Sequence, residues 1–272
     1  NMPDDVPKLR ANVRKFLAKE LAHKQAPDKA KSWSAFDAEF SQKLAEQGWI
    51  GMMWPHELGG SEATALHRYV VIEELLAAGA PVAAHWIADR QSGAHIMRYA
   101  SDEVQKRFLP AIADGEMYFC IGMSEPNSGS DLASIKTKAD RVDGGWVING
   151  SKIWTTYAHR SHMMIALVRT TPKAESRHAG LSQFIIDLST EGIRIKPIID
   201  HQGEEHFGEI FFDNVFVTDE MLLGKEGDGW AQVNSELALE RSGPERYLSS
   251  YRLFEELLRS LHENCDDITT AT

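Results

Sequence analysis

The feature that most limits how this chain can fold is a change of hydrophobic period, made at Gly115 and reversed near Asp228. Before Gly115, apolar residues recur at helical spacing. Val6, Leu9, Val13, Phe16 and Leu17 form one stripe, and Phe36, Phe40 and Leu44 form a second, stopped by Gly48. A third runs through Leu66, Tyr69, Ile72 and Leu76 and closes at Gly79. Helical patterning continues through Ile96, and a further run starts at Ser101 and ends near Pro110. After Gly115 the period is close to two. Ile135 to Ala139 alternates, Asp143-Gly144-Gly145 turns the chain, and Asn149-Gly150 is the strongest short hairpin signal present. Met163 to Val168 is continuously apolar, as a strand covered on both faces would be. Phe184 to Ile186, Ile193 to Ile195 and Ile210 to Val217 add three strands. Helical spacing returns with Trp230, Val233 and Leu237, breaks at Gly243-Pro244, and resumes with Tyr251, Phe254, Leu257 and Leu258. The tail from Asp266 to Thr272 has no apolar pattern. Helices, then strands, then helices make an α+β chain whose short, evenly spaced strands form a barrel or sandwich.

Length and charge narrow the function classes. The 272 residues can bury a sizeable core, as two compact domains or one large one. With 40 acidic against 29 basic side chains the net charge is −11, which disfavours nucleic acid and anionic lipid as partners. No stretch approaches the ~20 apolar residues of a membrane helix. The acidic start lacks the layout of a signal peptide. Cys120 and Cys265 are too few for a disulfide framework or a zinc site, so the expected setting is the reducing cytoplasm.

The segment Gly122-Met123-Ser124-Glu125-Pro126-Asn127-Ser128-Gly129-Ser130-Asp131 follows the apolar run from Tyr118 to Ile121. A strand ends there in a turn where backbone N–H groups can converge on an electron-rich ligand. On residue chemistry alone, a turn capped by Ser and Asp is the favoured reading. Its full order resembles, position by position, the middle-domain motif of acyl-CoA dehydrogenases. Three further segments resemble that family: Trp54 to Gly60, Asn149 to Thr156, and Phe211 to Val215 with Leu222-Leu223-Gly224 and Gly227 to Trp230. Order and spacing agree over about residues 5 to 260.

The resemblance implies three parts: an N-terminal helical domain at 1–117, a middle β-barrel domain at 118–226, and the truncated beginning of a C-terminal helical bundle at 227–272. It implies FAD as cofactor, lying along Ile121, Met123, Ser124, Gly129 and Ser130, with Trp154, Thr155 and Thr156 against its ring system. An aromatic wall and fixed donors near N5 would stabilise the reduced flavin. The substrate implied is an acyl-CoA, approached by Ser130 and Arg241. The reaction is α,β-dehydrogenation, with electrons passed to an electron-transferring flavoprotein. Members similar to the isovaleryl type carry the base on the first helix after the barrel, a position that Glu240 occupies here. Trp230, Val233, Leu237 and Glu240, spaced by 3, 4 and 3, set that carboxylate on an apolar face and partly desolvate it. The assembly implied is a homo- or hetero-tetramer or a dimer. Rival readings within the same architecture are an acyl-CoA oxidase, a flavin monooxygenase, or a non-catalytic subunit of a hetero-oligomer. Without the resemblance, Trp154 and Thr156 read as ordinary strand residues and Glu240 as a surface carboxylate paired with Arg241.

Overall fold

The computed structural model describes residues 3–172, 176–241 and 243–264; Cys265 and the tail from Asp266 to Thr272 lie outside the described residues. In chain order come the helices α1 (Val6–Glu20), α2 (Ala26–Ala30), α3 (Ala38–Ala45), α4 (Ala65–Ala78), α5 (Gly93–Tyr99) and α6 (Asp102–Ala113). Eight strands follow: β1 (Phe119–Gly122), β2 (Lys138–Val142), β3 (Gly145–Thr156), β4 (Met163–Arg169), β5 (Leu181–Asp187), β6 (Ile193–Ile198), β7 (Phe207–Thr218) and β8 (Leu222–Leu223). The chain closes with α7 (Gly229–Arg241), α8 (Glu245–Leu248) and α9 (Tyr251–Glu263). Two compact units result, one of Asn1–Ala84 with Arg241–Thr272, the other of His85–Glu240.

In the first unit α1 packs on α4, burying Val6, Val13 and Leu17 against a face that carries Val70, Val71, Leu75 and Leu76. That face is rotated from the expected one: Leu66, Tyr69 and Ile72 are half-buried, while Glu74 is buried. Val70, Val71, Leu75 and Leu76 supply the apolar part of that face, and charge pairing admits Glu74 to it. Arg14 donates to the Glu74 carboxylate through Nε at 2.7 Å and Nη2 at 3.0 Å, and Arg10 donates to it as well. Burial alone would raise the Glu74 pKa, but the two guanidiniums outweigh it and hold the carboxyl below its usual range. A hydrophobic pattern cannot register a carboxylate that enters a core already paired. On α9, Leu253, Phe254, Leu257, Leu258 and Leu261 are all exposed.

In the second unit the strands form one sheet in the order β6-β7-β3-β2-β4-β5-β8, with β1 pairing β4 in parallel. The continuous apolar run becomes β4, in which Met163 to Val168 are all buried. The hairpin does not fall at Asn149-Gly150. The chain turns at Asp143-Gly144, where Gly144 has φ +72°, and β3 runs straight through Asn149 and Gly150. Gly150 is there for proximity, since a Cβ would sit 2.6 Å from Thr137 Oγ1 and 2.7 Å from Thr137 Cα. The register against β7 shifts at the same place. Helix α6 also carries Pro110 inside it rather than ending there. No helix among the described residues is long and apolar enough to cross a membrane.

Candidate functional site

The site lies in the second unit, where the end of β1 meets the far half of β3. Gly122 closes β1 against β4 so tightly that a Cβ would lie 2.7 Å from Met164 Sδ. The chain then turns through Met123 to Asp131. Glu125 and Ser128 exchange backbone hydrogen bonds at 3.1 and 3.0 Å, which makes this a tight, fixed turn. The Ile153 N–H donates to the Ser124 carbonyl at 2.9 Å, tying the turn to β3.

Beneath the turn sits a buried ion pair. Lys152 has no exposed side-chain surface, and its Nζ donates to Glu125 Oε1 at 3.0 Å and to the Met123 carbonyl at 2.9 Å. Glu125 also accepts the N–H groups of Lys136 at 2.7 Å and Thr137 at 2.9 Å. Burial raises the Glu125 pKa, but the Lys152 charge and these N–H donors win, so the net shift is downward. Burial pulls the Lys152 ammonium down to about 8, against the upward pull of Glu125. A charge this deep holds its place because both Glu125 oxygens accept hydrogen bonds and the ammonium donates to two oxygens.

One turn further on, β3 is distorted. Lys152 faces Ile210 and Thr155 faces Gly208, so Ile153 and Trp154 together oppose one residue of β7. Trp154 takes φ +60°, a left-handed conformation that bulky residues rarely adopt. The bulge turns its indole outward: the side chain is 59 % exposed and touches Phe207 only edge-on, at 6.0 Å between centroids. An exposed tryptophan in a strained backbone is a candidate ligand surface.

Trp154 forms one wall of a cavity of about 190 Å³. Ile121 of β1 and Met123 and Ser124 of the turn line it, as do Ile153 and Thr156 of β3 and Glu240 of α7. Trp86, Ile87 and Gln91 complete it from the segment that holds a π-helical turn, Ala88–Ser92. Six of the residues singled out from sequence therefore meet around one space: Ile121, Met123, Ser124, Trp154, Thr156 and Glu240. Gly129 and Ser130 stand exposed on the turn, and Thr155 is buried between two lining residues. Arg241 is exposed and belongs to the other unit.

Helix α7 seats Glu240 through both apolar and polar contacts. Val233, with Trp230 and Leu237 beside it, packs on Ile135, Leu167 and Leu181. His178 stacks on Trp230 at 4.1 Å and 14°. Gln232 and Glu236 are also fully buried, and the Gln232 amide donates to the Leu223 carbonyl at 2.6 Å. Glu240 itself is half-buried. Sequence reasoning missed Trp86, Gln91, Lys152 and Glu236. For Lys152 a signal was present, since period-two alternation puts it on the same face of β3 as the buried Trp146 and Ile148. Nothing in the local pattern marks the other three.

The chain matches the family model for the acyl-CoA dehydrogenase N-terminal domain over residues 3–116 and that for the middle domain over residues 120–215. It is 37% identical over 244 residues to acyl-CoA dehydrogenase IpdE1 of Mycobacterium tuberculosis, covering 87% of this chain and 63% of that protein. It is 31% identical to the mitochondrial isovaleryl-CoA dehydrogenase of Arabidopsis thaliana, covering 86% of this chain and 57% of that protein. Among solved structures, the Tcur3481-Tcur3483 steroid ACAD superposes with a TM-score of 0.85 at 29% identity, over 97% of this chain and 68% of that one. With helices preceding the sheet, and the turn, bulge and carboxylate gathered on one cavity, the chain belongs to the acyl-CoA dehydrogenase family.

Proposed function

We propose that this chain carries most of the catalytic site of an FAD-dependent acyl-CoA dehydrogenase. It spans 63% of the length of the IpdE1 relative, and the activity proposed is that of the complete enzyme. The carrying observation is that Glu240 shares a cavity with Trp154, Thr156 and the Met123–Ser124 turn. These residues fit a flavin. Trp154 offers a broad, exposed aromatic face, and Ser124 and Thr156 supply hydroxyls on the same cavity. FAD, when bound, accepts the hydride that leaves the substrate's β carbon. Trp154 and the turn would hold the flavin, Ile121, Met123 and Ile153 would exclude water, and the Glu240 carboxylate would take the α proton. Breaking the α and β C–H bonds leaves a carbon–carbon double bond conjugated with the thioester. The proton rests on Glu240, and the electrons pass on to an electron-transferring flavoprotein.

Half-burial suits Glu240 to the role, because a base for a carbon acid works best in a site that sheds water. Protein purified without added cofactor is expected to show the two-banded visible spectrum of oxidised flavin. Anaerobic mixing of the full-length enzyme with acyl-CoA should bleach it. A colourless chain that takes up no added FAD overturns the reading. Rapid reoxidation of the bleached flavin in air would move the assignment to an acyl-CoA oxidase or monooxygenase. Flavin binding without bleaching would move it to a non-catalytic subunit of a hetero-oligomer.

A further inference from the structure

The second unit buries a second glutamate, and its surroundings are the reverse of those of Glu125. Glu236 lies four residues before Glu240 on α7, so the two side chains are neighbours on one helix face, ~5–6 Å apart at Cβ. Together with Gln232 they form a polar line running along α7 to the cavity. Glu236 is 0 % exposed. It has no ion-pair partner among the described residues, and the Gln183 amide, at 3.0 Å from Oε2, donates to it. Gln183 is oriented from its far side, where its carbonyl accepts the Nε2–H of His95 on α5 at 2.7 Å. As the Gln183 amide is placed, His95 donates to Gln183 and Gln183 donates to Glu236.

Two atoms end the line without a partner. Glu236 Oε1 and His95 Nδ1 are both buried and unpaired. Gln232 Oε1 and Ser92 Oγ, on the same two segments, are in the same condition. A buried carboxylate that accepts one neutral amide bond is far from compensated, whereas the neutral acid needs only modest stabilisation. The charged groups facing this line are few. Glu240 lies ahead on α7, where its charge opposes a second negative charge. Arg98 on α5 acts on His95 and donates to Ser235 at 2.9 Å. Burial first and then Arg98 keep His95 neutral by lowering its pKa, so it supplies no cation to Glu236. Strand β5 contributes only the uncharged Gln183.

We infer that Glu236 is a positioning residue for Glu240: a buried, proton-bearing carboxylic acid that leaves the negative charge of the pair on the carboxylate facing the cavity. This rests on the assignment of Glu240 as base. Two carboxyls on one helix face divide their roles by environment, one neutral and dry, the other charged and at the cavity wall. The arrangement has a pH limit. Burial, opposed only by the Gln183 bond and reinforced by Glu240, places the Glu236 titration at about 7. Above that pH, Glu236 gains a charge beside Glu240 and alters the base's proton affinity.

The state of Glu236 can be read on the chain as it stands. Difference infrared spectroscopy between pH 6 and pH 9 should show the carbonyl stretch of a protonated carboxylic acid, lost with a midpoint near 7. The band should vanish in Glu236→Gln and persist in Glu240→Gln. Its absence from wild type, or its survival in Glu236→Gln, overturns the inference; the wild-type titration alone decides this if the variant fails to fold. In the full-length enzyme the rate of flavin reduction against pH should carry an inflection near 7 that Glu236→Gln lacks. Superimposable profiles overturn the positioning role. If Glu240→Gln reduces flavin at the wild-type rate while the infrared band behaves as stated, the assignment of the base fails and the neutral acid stands.

Discussion

Lys152 and Glu125 form an ion pair, 3.0 Å between Nζ and Oε1, that is closed off from water directly beneath the turn lining the cavity. The same Nζ holds the Met123 carbonyl, so the pair fixes backbone that lines the cavity. Removing one partner leaves the other charged and buried. Lys152→Met should therefore cost about 3–5 kcal/mol of stability. A double variant, Glu125→Gln with Lys152→Met, should recover a large part of that. Denaturant unfolding of the three proteins measures the difference.

Trp154→Gly should separate fold from ligand binding. Glycine accepts φ +60° freely, which relieves about 1–2 kcal/mol of left-handed strain. The lost edge contact with Phe207 is worth about 0.5–1.5 kcal/mol. The terms nearly cancel, and the melting temperature should move little. Flavin affinity, titrated by absorbance, should fall clearly because the exposed wall of the cavity is gone. A large loss of stability with unchanged affinity would return Trp154 to the role of a core residue.

Glu240→Gln keeps shape and hydrogen bonding and removes the proton acceptor. Flavin reduction by acyl-CoA should slow by ~10²–10⁴-fold, the range for an acid–base group. Acyl-CoA binding should persist. Stopped-flow bleaching of the full-length enzyme reads the rate, and binding perturbs the flavin spectrum independently.

Stability should depend on pH through Glu236 in a definite direction. Its folded pKa, about 7, lies above the ordinary value of 4.5. Below the ordinary value both folded and unfolded forms are protonated and nothing is lost. As pH rises from there to about 7 the unfolded chain ionises while the folded one resists, so stability falls. The gap amounts to about 3 kcal/mol. Urea unfolding of wild type minus Glu236→Gln, followed from pH 4.5 to 8, should show that fall and then level off. A difference independent of pH would show that Glu236 titrates normally.

The division into a helical unit and a sheet was open to sequence reasoning because burial imposes a period. Met163 to Val168 has the continuous apolar run expected of a strand covered on both faces, and β4 is one. Val13 and Leu17 had to face a core from a helix, and they do. The turn from Gly122 to Asp131 was legible for a different reason: its composition and order are those of a family motif, not of a physical period. Those signals placed Ile121, Met123, Ser124, Trp154, Thr156 and Glu240 in one functional reading, and the cavity brings these six together.

What only the tertiary structure decided concerns polar groups that enter the interior already paired. Glu74 joins the buried face of α4 because Arg10 and Arg14, 64 and 60 residues away in the chain, meet its carboxylate. Asn149-Gly150 reads as a turn, yet Thr137 presses so close to Gly150 that the glycine serves the strand instead. Lys152, Glu125, Glu236 and His95 look like surface residues by type. Each meets a partner distant in sequence: Lys152 and Glu125 each other, His95 and Glu236 through Gln183, the last two with one polar atom each left unpaired. Hydrophobic burial acts residue by residue along the chain and leaves a local trace. Compensation of a buried charge or hydrogen bond is a property of pairs, and the pair exists only once the chain has folded.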